Sequence, residues 1–583
     1  MPTLADRNSA RVGGDFGVRE AIVNNIRKIF SAGLFVVGIA VFQGPAALGE
    51  TVTAEQSKKI DEIFAKWDRT DSPGCALSVI QGGKIIYKRA YGMANLDHDV
   101  ILTTGTKFHV ASISKQFTAA SIVLLEQDGK LSFDDDVHKY IPELPDFGAR
   151  ITIRNLLHHT SGLRDQWDLL DLAGWRYSLD LITNEDVMSV VVRQKALNFA
   201  PGSEYSYSNT GFTLLGEIVK RVSGKSLREF TTDRIFVPLG MKDTHFRDDH
   251  AEIIKHQAYG YSREKDRWEL SVTNFDTVGA TSLFTTVEDL ALWDENFYTG
   301  KVGGPHFTET MLTHDALTNG EKNSYAFGLV TEKYRGLDVV DHSGSDAGYR
   351  SDLLRFPAQH FSVAALCNAG DSGPSTLTQK VADVLLAGEL KEPSGSGGKE
   401  KPTFITPSQE QLNPKVGYYF EAKSRMFRKL VVKDGGLGWD VGDEVIPLHA
   451  VTNDRFLIGE YPAEMQFSPG KGGLFSMKMG TPGEKMREFE QLAPYTITDK
   501  QRAEYVGNYR SVEIDPVYRI VEENGKLVLK RLKHDPQTLT GVSPDLFQVE
   551  IGAIQFQRDG KKNIVGMKLS TGRIRDLEFA KEK

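Results

Sequence analysis

Hydrophobic positions change period several times along the chain, and each change marks an element. Ile60, Ile63, Phe64 and Trp67 recur at helical spacing within residues 53–67. Residues 75–80 and 85–88 are β-prone runs joined by Gln81-Gly82-Gly83-Lys84, which reads as a β-hairpin. Farther on, Ile113, Phe117, Ala120 and Leu124 fall on one side of a helix that Gly129 stops. Residues 131–144 read as loop with a short helix, and 152–163 as a brief helix closed by glycine. A polar, aromatic loop over 199–211 feeds a helix over 212–222, which Gly224 ends. Thr285 and Glu288 are spaced as a capping box at the head of another helix. Three strand-like segments follow at 337–342, 349–356 and 361–367, and a helix over 377–386 closes the region. Strands at both ends with helices between them imply an α/β (or α+β) unit, its sheet shared by the first hairpin and the late strands.

The pattern changes again after residue 391. Glu392-Pro393-Ser394-Gly395-Ser396-Gly397-Gly398 is flexible-linker composition. Beyond it, Gly417, Asp434-Gly435, Asp454, Phe467 and Phe489 find counterparts at Gly507, Asn524-Gly525, Asp545, Phe556 and Phe579, always 89 to 91 residues on. A fixed offset marks a duplicated unit. Each copy has short alternating strands with turn signals, which predicts two small antiparallel, lipocalin-like β-barrels. The expected organisation is an N-terminal extension with signal peptide (1–49), a large domain (50–391), a linker (392–411) and two barrels (412–495 and 496–583).

Composition narrows the function. Forty per cent hydrophobic and 25% charged residues in 583 are ordinary for a globular protein. A net charge of -8 without a basic, aromatic-rich patch argues against nucleic acid as a partner. Cys75 and Cys367 are too few for a disulfide scaffold, and their apolar surroundings favour two buried thiols over a bridge. Arg27-Lys28, an apolar run over 29–42 and small residues near Ala47-Leu48-Gly49 form a secretory signal, so the mature chain is expected to begin near Glu50 and to be periplasmic or extracellular. The run falls short of the ~20 apolar residues of a membrane span. The 26 residues ahead of it are many for a signal, which leaves an uncleaved anchor as the alternative and the one expected route to a membrane.

The chemistry starts at Ser112-Ile113-Ser114-Lys115. If Ser112 opens the helix, Lys115 lies one turn on and on the same face, where its amine reaches the hydroxyl. Ser-x-x-Lys also occurs at Ser262/Lys265, Ser396/Lys399 and Ser468/Lys471, but only the Ser112 copy heads a helical pattern. Two further signals lie in the same domain, Tyr207-Ser208-Asn209 in the aromatic loop and His342-Ser343-Gly344 at a strand end. Adjacent His158 and His159 lack a third ligand at metal-binding spacing, so no metal or other cofactor is expected. No Gly-x-Ser-x-Gly occurs, which sets aside an α/β-hydrolase.

In this order and context the three signals resemble those of the penicillin-recognising serine hydrolases, a group that includes class C β-lactamases, D-Ala-D-Ala carboxypeptidases, D-aminopeptidases and lipase-like esterases. Pro73-Gly74-Cys75-Ala76-Leu77, residues 156–163, Phe199-Ala200-Pro201-Gly202 and Pro238-Leu239-Gly240-Met241 look alike too, so the resemblance covers about residues 50–390. It implies Ser112 as nucleophile, with Lys115 and Tyr207 sharing its proton. Neutral lysine, with a reference pKa of ~10.4, costs roughly 4.6 kcal/mol at pH 7 in water, so such a site must offset much of that. The resemblance further implies Asn209 on the substrate amide, backbone N–H groups of Ser112 and Ser345 as oxyanion donors, and Gly344 where substrate approaches the strand edge. His342 stands where classical β-lactamases carry a carboxylate-gripping lysine; it resembles the version in some carboxypeptidases and D-aminopeptidases and is expected to polarise the Tyr207 hydroxyl. The leading expectation is an exported serine hydrolase that cleaves amides of D-amino acids or short peptides through a Ser112 acyl-enzyme. A carboxylesterase or weak β-lactamase using the same site is the alternative, and a non-catalytic receptor for cell-wall fragments the third reading. The barrels are expected to pack on or roof the large domain.

Overall fold

A computed structural model describes residues 51–391, 403–442, 444–459, 463–481 and 486–583. The expected signal segment (1–49) and the Gly/Ser-rich part of the linker (392–402) lie outside the described residues. Among the described residues no helix is long and apolar enough to cross a membrane.

The large domain opens with helix α1 (Ala54–Phe64), where Thr53 and Gln56 exchange hydrogen bonds in a capping box. Strands β1 (Cys75–Gln81) and β2 (Lys84–Tyr91) form the expected hairpin. Helix α2 (Ser114–Gln127) follows, buried on all sides from Ser114 to Leu125, which places it at the centre of the domain. Helix α3 (Asn209–Ser223) ends at Gly224, whose φ of 74° is the left-handed value that favours glycine. Helix α4 (Val287–Thr299) starts one residue later than the spacing predicts: Thr286, not Thr285, accepts the first-turn bond, from the Asp289 N–H. The shift has a plain cause, because Thr285 is used in a short strand over Leu283–Thr285.

Four strands then complete the sheet: β3 (Val330–Tyr334), β4 (Leu337–Asp346), β5 (Tyr349–Phe356) and β6 (Phe361–Cys367). Its order is β3-β4-β5-β6-β1-β2, antiparallel throughout, so the first hairpin and the late strands do share one sheet. Alternate side chains of β1 and β6 serve two cores. Cys75, Leu77, Val79, Val363, Ala365 and Cys367 face α1 and the closing helix α5 (Pro374–Leu385). Ala76, Ala364 and Leu366 face the core that contains α2 and α3. Cys75 and Cys367 stand opposite each other in the β1–β6 register and are joined by a disulfide, which corrects the sequence reading of two free thiols. Local composition could not reveal a pairing across 292 residues.

Each duplicated unit is a closed barrel of eight antiparallel strands, over Gly417–Gln491 and Gly507–Lys581. The copies repeat one internal bond at the duplicated position: the buried Tyr419 hydroxyl donates to Lys415 O at 3.0 Å, and Tyr509 to Tyr505 O at 2.7 Å. In the second barrel Tyr505, Tyr509, Phe547 and Phe556 pack against one another in edge-to-face and tilted contacts.

The second barrel is fused to the large domain. Their apolar side chains form one continuous core, whereas the first barrel has its own. Arg164 and Glu513 pair across the junction at 2.7 Å with side chains only 1% and 4% exposed. Tyr518 donates to Leu172 O at 2.7 Å, and Arg531 pairs with Asp171 at 2.8 Å. The first barrel reaches the others through Lys423–Glu204 at 3.2 Å and Arg425–Asp576 at 3.5 Å. Removing one partner of a buried pair leaves a charge uncompensated, at a cost of about 3–5 kcal/mol. Glu513→Ala is therefore expected to lower the denaturant midpoint for the large domain and second barrel together; an unchanged midpoint would show that the junction holds without the pair.

Candidate active site

Ser112 sits in a 3₁₀ turn (Ala111–Ile113) that leads into α2. Ala111 before it takes φ +48°, uncommon for a residue with a side chain, and its N–H is held by His109 Nδ1 at 3.2 Å. The turn leaves Ser112 half-buried, while Lys115, one turn on, is wholly buried. Lys115 Nζ donates to Ser112 Oγ at 2.9 Å, to Asn209 Oδ1 at 2.9 Å and to Ala280 O at 2.8 Å. Tyr207, from the loop before α3, donates its hydroxyl to the same Ser112 Oγ at 2.8 Å. The serine oxygen thus receives two hydrogen bonds, a setting that favours negative charge on it.

Asn209 is the first residue of α3, and its amide is engaged at both ends. Oδ1 accepts from Lys115, and Nδ2 donates to Asp165 Oδ2 at 2.9 Å. Asp165 also accepts the Asn209 backbone N–H at 2.6 Å and the Trp167 N–H at 3.0 Å. Through its Oδ1 the Asn209 side chain holds the lysine. His159, the sequence's weak metal candidate, packs against Tyr207 and Tyr325 at ring separations of 4.2 and 4.4 Å, and its Nδ1 accepts the Ser208 N–H.

Strand β4 carries His342, Gly344 and Ser345 past the nucleophile. A Cβ on Gly344 would lie 2.3 Å from Val110 O and 3.1 Å from the Ala111 Cβ, so the missing side chain lets β4 close on the segment that holds Ser112. His342 Nδ1 lies 2.6 Å from Ser343 O, which requires a proton on that nitrogen; Nε2 then accepts from the Tyr325 hydroxyl at 2.9 Å. Both nitrogens are engaged within the protein, and the ring centroid is 6.4 Å from that of Tyr207. Burial, and after it the Lys115 charge, push His342 down to about 3.

Four contributors escaped the sequence reading: Asp165, Ala280, Tyr325 and Arg573. Arg573 comes from the second barrel. Its guanidinium carbon lies 5.1 Å from the Tyr207 ring centroid, and Nη1 is 3.7 Å from Asp165 Oδ2. No local motif announces any of them.

A sequence model of the family described as Beta-lactamase matches residues 60–387, more than half of the chain. The chain belongs to the Beta-lactamase family. It is a serine hydrolase related to D-aminopeptidases and penicillin-binding proteins. Penicillin-binding protein 4* of Bacillus subtilis (strain 168) is 29% identical over 412 residues, 67% of this chain and 89% of that protein. A D-aminopeptidase of Brucella anthropi is 24% identical over 534 residues, 87% of this chain and 95% of that protein. Among solved structures, the octameric penicillin-binding protein homologue from Pyrococcus abyssi matches with a TM-score of 0.53 at 25% identity, over 75% of this chain and 99% of that one.

The histidines of this family member set an acid limit on its stability. His109 and His342 are both held down to about 3 by burial, below the ordinary value of about 6.5. As pH falls below about 6.5 the unfolded chain takes up these protons while the folded one does not until about 3, so stability is full above this window and declines through it. His342→Gln is expected to reduce that decline. The rate–pH profile is expected to have no His342 limb between pH 5 and 8; a limb near 6.5 that vanishes in His342→Gln would contradict the geometry.

Proposed function

We propose that the protein is an exported serine hydrolase that cleaves amide bonds of D-amino-acid-containing or short peptides through an acyl-enzyme on Ser112. The observation that carries this reading is the Ser112 oxygen held between Lys115 Nζ at 2.9 Å and Tyr207 OH at 2.8 Å. The Lys115–Tyr207 pair must first give up one proton to solvent; Ser112 then attacks the amide carbonyl and its own proton passes into the site so vacated. Lys115 Nζ and the Arg573 guanidinium lie 4.8 and 5.1 Å from the Tyr207 ring, two cations that stabilise negative charge on the phenol as the proton moves. The backbone N–H groups of Ser112 and Ser345 receive the oxyanion, one such donor being worth about 3 kcal/mol. Tyr207 returns a proton to the departing amine. Water then attacks the ester, gives its proton to the same pair and restores the serine.

Two features favour amides and export. The match to the D-aminopeptidase covers 87% of this chain and so extends past the large domain into the barrels. The Cys75–Cys367 disulfide suits an oxidising compartment.

Turnover of acetyl-D-alanyl-D-alanine, D-alanyl p-nitroanilide, p-nitrophenyl acetate and nitrocefin by wild type and Ser112→Ala tests the reading. Serine-dependent amide cleavage is expected. Turnover confined to the ester or to nitrocefin would make it an esterase or a β-lactamase, and no turnover with no fluorophosphonate adduct would make it a receptor. Lys115→Ala is expected to lower kcat by at least about a hundredfold with little change in KM; an unaltered kcat would remove the lysine from the mechanism.

A further inference from the structure

We propose that Asp346, the residue after Ser345 on β4, is a positioning residue that has to stay uncharged: as a neutral acid it ties β4 to the turn that carries Ser112, and as a carboxylate it turns the site off. This rests on the hydrolase reading above and adds to it a residue and an alkaline limit.

Asp346 is the last residue of β4, and its side chain, 4% exposed, shares a face with that of His342. Buried Thr281 donates its hydroxyl to Asp346 Oδ2 at 2.6 Å. Thr281 follows Ala280, whose carbonyl accepts from Lys115. On its other side, Thr281 Oγ1 lies 3.4 Å from His109 Nε2. His109 Nδ1 accepts the Ala111 N–H, so the neutral ring carries its proton on Nε2 and points it at Thr281. Asp346, Thr281 and His109 therefore form one line of polar contacts from the end of β4 to the residue before Ser112. That residue, Ala111, holds a φ of +48° that its surroundings must enforce.

The surroundings favour the protonated acid. Asp346 Oδ1 is buried and has no hydrogen-bond partner among the described residues, so a proton there displaces no bond. The ionisable groups that face the carboxyl are His109, Tyr349, Lys115 and Arg350. His109 Nε2 lies 3.8 Å from Oδ2, but burial holds the ring down to about 3 and so neutral. Tyr349, opposite Asp346 in the β4–β5 register, is pushed up to about 12 by burial and is neutral as well. Burial likewise pushes Asp346 up to about 8, against the Lys115 and Arg350 charges that pull it down.

Neutrality matters twice. The Ser345 N–H, one residue back, receives the oxyanion in the reading above, and a carboxylate beside it would oppose the charge that the site must stabilise. The same carboxylate would favour the ammonium form of Lys115, although the Lys115–Tyr207 pair has to give up a proton before Ser112 can attack. The switch itself is the loss of one proton from Asp346 to solvent, and no bond to substrate changes.

The test is kcat/KM for p-nitrophenyl acetate and D-alanyl p-nitroanilide from about pH 6 to 10, with the Ser112→Ala rate subtracted. Wild type is expected to lose at least about tenfold through a limb near pH 8. Asp346→Asn keeps the shape, places an N–H where the acid carries its O–H and cannot ionise. It is expected to stay within about threefold of wild type at pH 6.5 and to lose that limb. Asp346→Ala leaves Thr281 without its acceptor and is expected to lower kcat by about tenfold across the range with little change in KM. A limb that stays in place in Asp346→Asn would overturn the proposal. So would an Asn variant as slow as the Ala variant at pH 6.5, which would make the carboxylate the working form. A wild-type profile flat from about pH 7 to 9 would overturn it even if both variants fail to fold. In each of these cases a serine hydrolase still stands; no Ser112-dependent turnover or fluorophosphonate adduct at any pH would instead defeat the hydrolase reading, and this proposal with it.

Discussion

The whole site depends on keeping an amine inside protein. Lys115 is fully buried, and an amine taken out of water needs acceptors for its protons. Three are supplied from three parts of the chain: the nucleophile's own turn, the start of α3 and the carbonyl of Ala280. Each supplier is held in turn. Asn209 is fixed by Asp165, and Asp165 by backbone N–H groups and the nearby Arg573. Charge alternates outward from the nucleophile, lysine to aspartate to arginine, and the last member belongs to another domain.

That chain of dependence accounts for what could and could not be seen in the residue order. Hydrophobic period and turn residues were enough for the hairpin, the late strands, the central helix and the two barrels, because each is a local pattern repeated on one face. Ser112, Lys115, Tyr207 and Asn209 were legible because their chemistry travels in short motifs at helix starts. Asp165, Tyr325 and Arg573 were not, because each acts across a fold-level contact with nothing distinctive beside it in sequence. The disulfide was hidden for the same reason, its two halves meeting only through the β1–β6 register.

The motif residues also have partners inside the protein. Asn209 spends both ends of its amide within the protein, and His342 spends both nitrogens. Gly344 matters for what packs against it, since a side chain there would strike Val110 and Ala111. The duplicated barrels have also diverged in use. One keeps a separate core, while the other shares its apolar interior with the large domain and sends a loop to Tyr207.

The strand order has a consequence for how this protein is made. β1 is central, but its inner neighbour β6 comes from residues 361–367, near the end of the large domain. Until those residues leave the ribosome, β1 presents an unpaired apolar edge, and a highly non-local pairing is still to form. The nascent hairpin is thus an aggregation hazard for most of translation. A chain built this way gains from a holdase or from crossing a membrane unfolded, closing its sheet only after the last strand has emerged.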